Sequence, residues 1–176
     1  MNKKDKKQRQ IPTFDRPVDR YFYEMDQQFG QGSLIGYAVA LALVFFGVMG
    51  LVWMIPFPKL VFLENLQMQN FLNWGSFYIA IVIYLYLRLA PTLSYAMLFS
   101  IGIMSFLIVQ LEYLERAGGP AVWLLSLLLA LGGLVLSYFQ AKKQLTTLSP
   151  ATFWRLLTIG PIWLWSKVFA SLKIKY

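Results

Sequence analysis

The chain has 176 residues, of which 58% are hydrophobic and only 14% are charged, and its formal net charge is +8. Because about a quarter of the residues of a typical soluble domain are charged, this composition argues against a soluble fold and predicts a single all-α integral membrane domain. The chain contains no cysteine and no histidine, which excludes thiol nucleophiles, imidazole general bases, zinc–thiolate sites and histidine-ligated haem.

The amino-terminal part has two segments. Residues 1–13 are basic and polar, and we expect a disordered cytoplasmic tail. Residues 14–30 have apolar side chains at spacings of three and four, which predicts an amphipathic helix on the membrane surface or under the bundle. Asp15 is a candidate N-cap for this helix, with Pro17 in its first turn. The Asp and Arg residues between the apolar positions are expected to form a solvated face with salt bridges.

Four apolar runs follow, and each is close to the roughly 20 residues that a helix needs to cross a bilayer. The predicted transmembrane helices cover residues 33–55, 71–90, 92–114 and 121–140. The second and third form a tight central hairpin, because Pro91 cannot continue a helix but suits the first turn of the next one. The fourth has small residues on one stripe, which indicates close packing inside the bundle more than a dimer face. This stripe consists of Ser126, Ala130, Gly133, Ser137 and Ala141.

Residues 150–172 are also apolar, but we predict a kinked interfacial or half-inserted helix rather than a fifth crossing. Arg155 and Lys167 lie about 18 Å apart along a helix at 1.5 Å per residue. A span of about 30 Å would therefore bring at least one of these charges close to hydrocarbon. Gly160 and Pro161 interrupt the segment, and its tryptophans suit a membrane interface.

The distribution of basic residues predicts the orientation. With four crossings, the amino tail, the hairpin tip and the carboxyl tail share one side of the membrane. The opposite side has only Lys59 and Arg116 as basic residues. The positive-inside rule then places both termini in the cytoplasm. We expect a bacterial inner membrane protein, with the endoplasmic reticulum as the alternative.

Two sets of polar residues are candidate contact sites. Basic residues on the cytoplasmic side are candidates for binding lipid headgroups or a partner protein. They are Arg88, Lys142, Lys143, Arg155 and Lys167. Gln110 and Glu112 are candidates for an intramembrane polar site, although a helix end at the membrane surface is the favoured interpretation. We find no catalytic, cofactor-binding or metal-binding pattern, and we expect membrane lipids or another membrane protein as partners, and no nucleic acid.

Several short motifs occur in a characteristic order. The hairpin tip has Tyr86-Leu-Arg-Leu-Ala-Pro91, and Pro150-Ala151 precedes Ile159-Gly-Pro-Ile-Trp163. This order resembles the small membrane family of 2-hydroxy fatty acid dioxygenases, which are iron-dependent enzymes of fatty-acid alpha-oxidation. The positions that match the family's histidines are Gln28, Phe29, Tyr37 and Lys142, and Thr146 stands where the family has glutamate. Because Fe(II) sites use imidazole and carboxylate ligands, the resemblance implies either a divergent, non-catalytic relative or a similarity of architecture alone.

Three classes of function follow from these observations. The first is a non-catalytic polytopic membrane protein that acts as an accessory subunit, scaffold or lipid-binding module. The second, implied by the resemblance, is a lipid-modifying enzyme that oxidises fatty acids. The third is a small transporter or channel component, which would need a polar lining inside the bundle.

Overall fold

A computed structural model describes Phe14, residues 16–58 and residues 72–175 of the chain. The described part does not include the predicted tail at residues 1–13, the candidate cap Asp15 or residues 59–71. The described residues form six α-helices, which confirms the all-α fold class. These helices are α1 (Pro17–Phe29), α2 (Leu34–Trp53), α3 (Trp74–Leu89), α4 (Pro91–Arg116), α5 (Val122–Gln144) and α6 (Pro150–Ser171).

Three of the helices, α2, α4 and α5, are long and apolar enough to cross a membrane. They indicate a membrane protein. Helix α3 is also apolar, but its 16 residues extend over only about 24 Å, which is less than the roughly 30 Å of a bilayer's hydrocarbon core. It begins at Trp74 rather than at residue 71, because Asn73 caps it: the Asn73 side chain accepts the Ser76 N–H at 2.9 Å.

Helices α2 and α5 form the most extensive helix pair in the described chain. The predicted small-residue stripe of α5 is buried along its whole length and lies against α2, which confirms its role in packing inside the bundle. The backbones of α2 and α5 approach each other most closely at glycines. A methyl group added at Gly133 would lie 2.7 Å from the backbone nitrogen of Val44 and 2.9 Å from the carbonyl oxygen of Ala40. Only a residue without a side chain fits this distance between the two backbones.

The predicted hairpin is formed by α3 and α4. Ala90 is extended and serves both as the C-cap of α3 and as the N-cap of α4, with Pro91 in the first turn of α4. At the other end of α4, a side-chain oxygen of Glu115 accepts the backbone N–H of Val122 at 3.0 Å. Glu115 therefore joins the end of α4 to the start of α5, and a carboxylate at a helix N-terminus also suits the helix dipole.

Helix α6 lies across the bundle at the end where α3 and α5 terminate, which we call the α6 end. Gly160 faces Leu41 of α2, and the rings of Trp163 and Tyr37 lie 6.5 Å apart. Contrary to the expected interruption at Gly160 and Pro161, α6 is continuous through this point. Packing of one helical face on the bundle holds it together, although Pro161 has no N–H to donate to the preceding turn.

Helix α1 packs beneath this end of the bundle, as its amphipathic pattern predicts. Its buried residues recur at spacings of three and four. They are Val18, Phe22, Met25 and Phe29. Arg16 occupies the N-cap position and makes no side-chain cap, and Pro17 begins the helix. This apolar face buries α1 against α5 and α6, so that α1 is a tertiary element rather than an isolated surface helix.

Candidate functional site

A partly open cavity of about 460 Å³ lies between α3 and α5, with α2 as its floor and the first half of α6 across its end. We call it the α3–α5 cavity. Its lining is almost entirely apolar and includes Val48, Val82, Leu134 and Leu157. The volume lies within the range of about 300–1,000 Å³ that is usual for sites of small ligands. The rim is formed by Leu85 and Trp154, whose surfaces are 57% and 68% exposed.

The polar groups in the lining are largely satisfied within the protein. The Tyr86 hydroxyl donates a hydrogen bond of 2.8 Å to the backbone oxygen of Thr158, one turn before Pro161. The Thr158 hydroxyl donates to the carbonyl oxygen of Trp154 in its own helix at 3.0 Å. The hydrogens of both hydroxyls are therefore engaged within the protein, and the mostly apolar lining of the cavity offers a surface suited to hydrocarbon.

A second apolar cavity lies on the other side of α6. This partly open cavity of about 220 Å³ lies between α2, α4 and α6, where Trp165 donates a hydrogen bond of 3.2 Å to the Ser100 hydroxyl. A neighbouring cleft of about 360 Å³ shares Ala38, Leu164 and Val168 with it and has Lys167 at its edge. Phe45 of α2 lines both this cavity and the α3–α5 cavity.

Two of the predicted headgroup contacts are engaged by α1. Lys167 is ion-paired with Asp26, at 2.5 Å and 2.6 Å to its two oxygens, and the Trp163 indole donates to the same carboxylate at 2.7 Å. Arg155 is ion-paired with Glu24. The expected solvated face of α1 is therefore only partly correct. Its pairs within the helix are Arg16–Asp19 and Arg20–Glu24, but Glu24 and Asp26 also join α1 to α6.

The other three basic candidates are exposed at the α6 end of the bundle. The Arg88 guanidinium lies 5.6 Å from the centre of the Tyr84 ring, and the Lys142 ammonium lies 5.8 Å from the centre of the Tyr138 ring. Lys143 is exposed beside Lys142. None of these three has a carboxylate within ion-pair distance in the described part of the chain.

Gln110 and Glu112, the candidate intramembrane polar site, lie in the second half of α4 and line neither cavity. Gln110 is exposed and Glu112 is half-buried. Among the described residues, Glu112 has no ion-pair partner, and the Arg116 guanidinium lies 5.9 Å from the centre of the Tyr113 ring. The polar group that has a defined role near this end is Glu115, through its bond to α5. No sequence pattern singled it out.

The positions that match the histidines of the dioxygenase family do not fit an iron site. Phe29 and Tyr37 are buried with their rings 5.6 Å apart, Gln28 is on the same helix as Phe29, and Lys142 is exposed. An amide, a phenol and an ammonium do not supply the imidazole and carboxylate ligands that Fe(II) prefers. Within the described ranges, no three Asp or Glu residues come together.

Five buried side-chain atoms have no hydrogen-bond partner among the described residues. Two are the Ser126 and Ser137 hydroxyls at the α2–α5 contact, and the others belong to Gln28, Tyr37 and Gln140. They do not line the α3–α5 cavity. Comparison of the whole chain with protein families, with curated proteins and with solved structures finds no match.

Proposed function

We propose that this chain is a non-catalytic polytopic membrane protein that binds a membrane lipid, with an acyl chain in the α3–α5 cavity. The observation that carries this proposal is the cavity itself, which is partly open and has a mostly apolar lining in which the hydroxyls of Tyr86 and Thr158 are already hydrogen-bonded within the protein. Hydrocarbon is the ligand chemistry that such a lining favours, and lipid is the source of hydrocarbon that surrounds a membrane protein.

The helix arrangement supports four crossings with both termini in the cytoplasm. Trp74, at the start of α3, donates to the Pro56 carbonyl just after α2, and Ala90 joins α3 directly to α4. Consecutive helices from α2 to α5 therefore alternate in direction. Helix α3 would cross with local thinning of the bilayer or with its flanking residues extended toward the surface. In this orientation α1, α6 and the exposed basic residues share the cytoplasmic side, in accord with the positive-inside rule.

The test is to fill the α3–α5 cavity. In Val82→Trp a large ring would occupy the cavity from α3, and in Leu134→Trp it would do so from α5. We expect lipid that co-purifies with the wild-type chain in mild detergent to be lost from both variants, with binding weakened by at least about tenfold. Native mass spectrometry of the intact particle measures the bound lipid directly.

Ile103→Trp is the matched control, because Ile103 is exposed on α4 and lines neither cavity. It should retain lipid as the wild-type chain does. Retention of lipid by both cavity variants, with circular dichroism and elution volume unchanged, would contradict the proposal. Discrete added mass from another polypeptide in the wild-type particle would instead favour an accessory subunit.

A further inference from the structure

We propose that the lipid in the α3–α5 cavity is an anionic phospholipid and that Arg88 and Lys142 bind its headgroup. This inference rests on the proposed function, because it names the class of lipid for the same cavity. The supporting observation is that some basic residues at the α6 end are ion-paired with carboxylates, whereas Arg88 and Lys142 have no such partner among the described residues.

The ion-paired cations at this end are those of α6. Lys167 is paired with Asp26, and Arg155 is paired with Glu24, a carboxylate that it shares with Arg20. Arg88 and Lys142 have no such partner among the described residues, and both are exposed. An anion that approaches the α6 end of the bundle therefore meets uncompensated charge on α3 and α5, the two helices that border the cavity.

Arg88 lies beside the mouth of the cavity, and Lys142 is linked to its rim through two aromatic rings. Arg88 follows Leu85 by one turn and directly precedes Leu89, and both leucines line the cavity. Lys142 lies over Tyr138, whose ring is 6.0 Å from that of Phe153, the residue before Trp154 at the rim. Each cation thus rests on an aromatic ring one turn earlier in its own helix, an arrangement in which a long side chain can place its charge in the headgroup layer.

The chemistry of the pair matches a phosphodiester. Guanidinium and ammonium groups donate charge-assisted hydrogen bonds to phosphate oxygens, and they favour lipids with net negative charge. Arg88 and Lys142 also lie in the last turns of α3 and α5, where their charges offset the negative ends of the helix dipoles. A zwitterionic headgroup adds a cation that the same pair would repel.

The cleft beside Lys167 does not present an unpaired basic side chain to an anionic headgroup. Its apolar lining is similar, but the one basic residue at its edge already holds Asp26. Charge complementarity therefore assigns the anionic lipid to the α3–α5 cavity and not to the cavity on the other side of α6.

The experiment compares two lipids with identical acyl chains. The full chain in mild detergent is titrated with equimolar dioleoyl phosphatidylglycerol and dioleoyl phosphatidylcholine, and native mass spectrometry counts each bound lipid. We expect the wild-type chain to prefer phosphatidylglycerol by roughly 25-fold, since each of the two basic side chains near an anionic lipid contributes a factor of about five. The double variant Arg88→Gln/Lys142→Gln should bind both lipids about equally.

The matched control is Lys173→Gln/Lys175→Gln, which removes the same charge from exposed positions after α6. It should keep the preference for phosphatidylglycerol. Equal binding of the two lipids by the wild-type chain, or loss of preference in the control as well, would overturn this inference while leaving the acyl-chain proposal intact. Binding of neither lipid by the wild-type chain would overturn both.

Discussion

Tyr37 and Tyr86 are both buried, but their hydroxyl groups have different surroundings. The Tyr86 hydroxyl donates to the Thr158 carbonyl oxygen and joins α3 to α6, whereas the Tyr37 hydroxyl has no partner among the described residues. A buried hydroxyl without a partner has lost its hydration without compensation, so that it opposes folding, whereas a paired one contributes a net stabilisation.

The two tyrosines therefore predict opposite effects of the same substitution. Tyr86→Phe should lower the free energy of unfolding by about 0.5–1.5 kcal/mol, because it removes one hydrogen bond. Tyr37→Phe should leave the free energy of unfolding unchanged or raise it. Unfolding in mixed micelles of mild detergent and dodecyl sulfate measures both. An equal loss in the two variants would mean that the Tyr37 hydroxyl also has a bonding partner.

Among the helices, the α2–α5 pair was the easiest contact to foresee. Small residues at helical spacing are visible in a single segment, and they predicted the buried stripe of α5. The sequence contains no comparable pattern that predicts the contact between α1 and α6. Asp26 and Lys167 are 141 positions apart, and Asp26 already has basic residues near it in its own segment, whereas the segment of Lys167 contains no acidic residue. Pairing at this separation depends on the placement of whole helices, which local periodicity does not specify.

Adjacent glycines in α5 provide a test of the close α2–α5 contact. Gly133→Ala should destabilise the bundle by about 1–3 kcal/mol, because the added methyl group meets the backbone of α2. Gly132→Ala should be neutral within about 1 kcal/mol or slightly stabilising, since nothing lies within 4 Å of the added atom and alanine favours a helix. Thermal unfolding in detergent distinguishes them. A small effect on stability at both positions would indicate that α2 and α5 are farther apart.

At the scale of the whole molecule, composition and hydrophobic periodicity were sufficient to predict an all-helical membrane protein with a central hairpin. They were not sufficient to predict the α3–α5 cavity. Its walls come from four different helices, and its volume depends on how α6 lies across α2. Candidate headgroup contacts such as Arg155 and Lys167 could be found from charge alone, but their neutralisation by α1 appears only when the two ends of the chain are placed together.

The absence of cysteine from the chain makes the orientation directly measurable. Ala117→Cys, between α4 and α5, should react with a membrane-impermeant maleimide in intact spheroplasts. Thr147→Cys, between α5 and α6, and Lys175→Cys, after α6, should react only after permeabilisation, because the proposed topology of four crossings would return the chain to the cytoplasm. All three positions are exposed, so that each should react in detergent. Labelling of Lys175→Cys from outside would instead indicate that α6 crosses the membrane.

The pairing of α1 with α6 also sets an order for assembly during translation. Asp26 is synthesised long before Lys167, and at about 5–20 residues per second the 141 positions between them take about 7–28 s. During that interval α2 to α5 can enter the membrane and pack, while the carboxylates of α1 remain hydrated. The docking of α6 onto α1 therefore belongs among the last steps of assembly, and until then the part of the α1 apolar face that packs against α6 remains exposed.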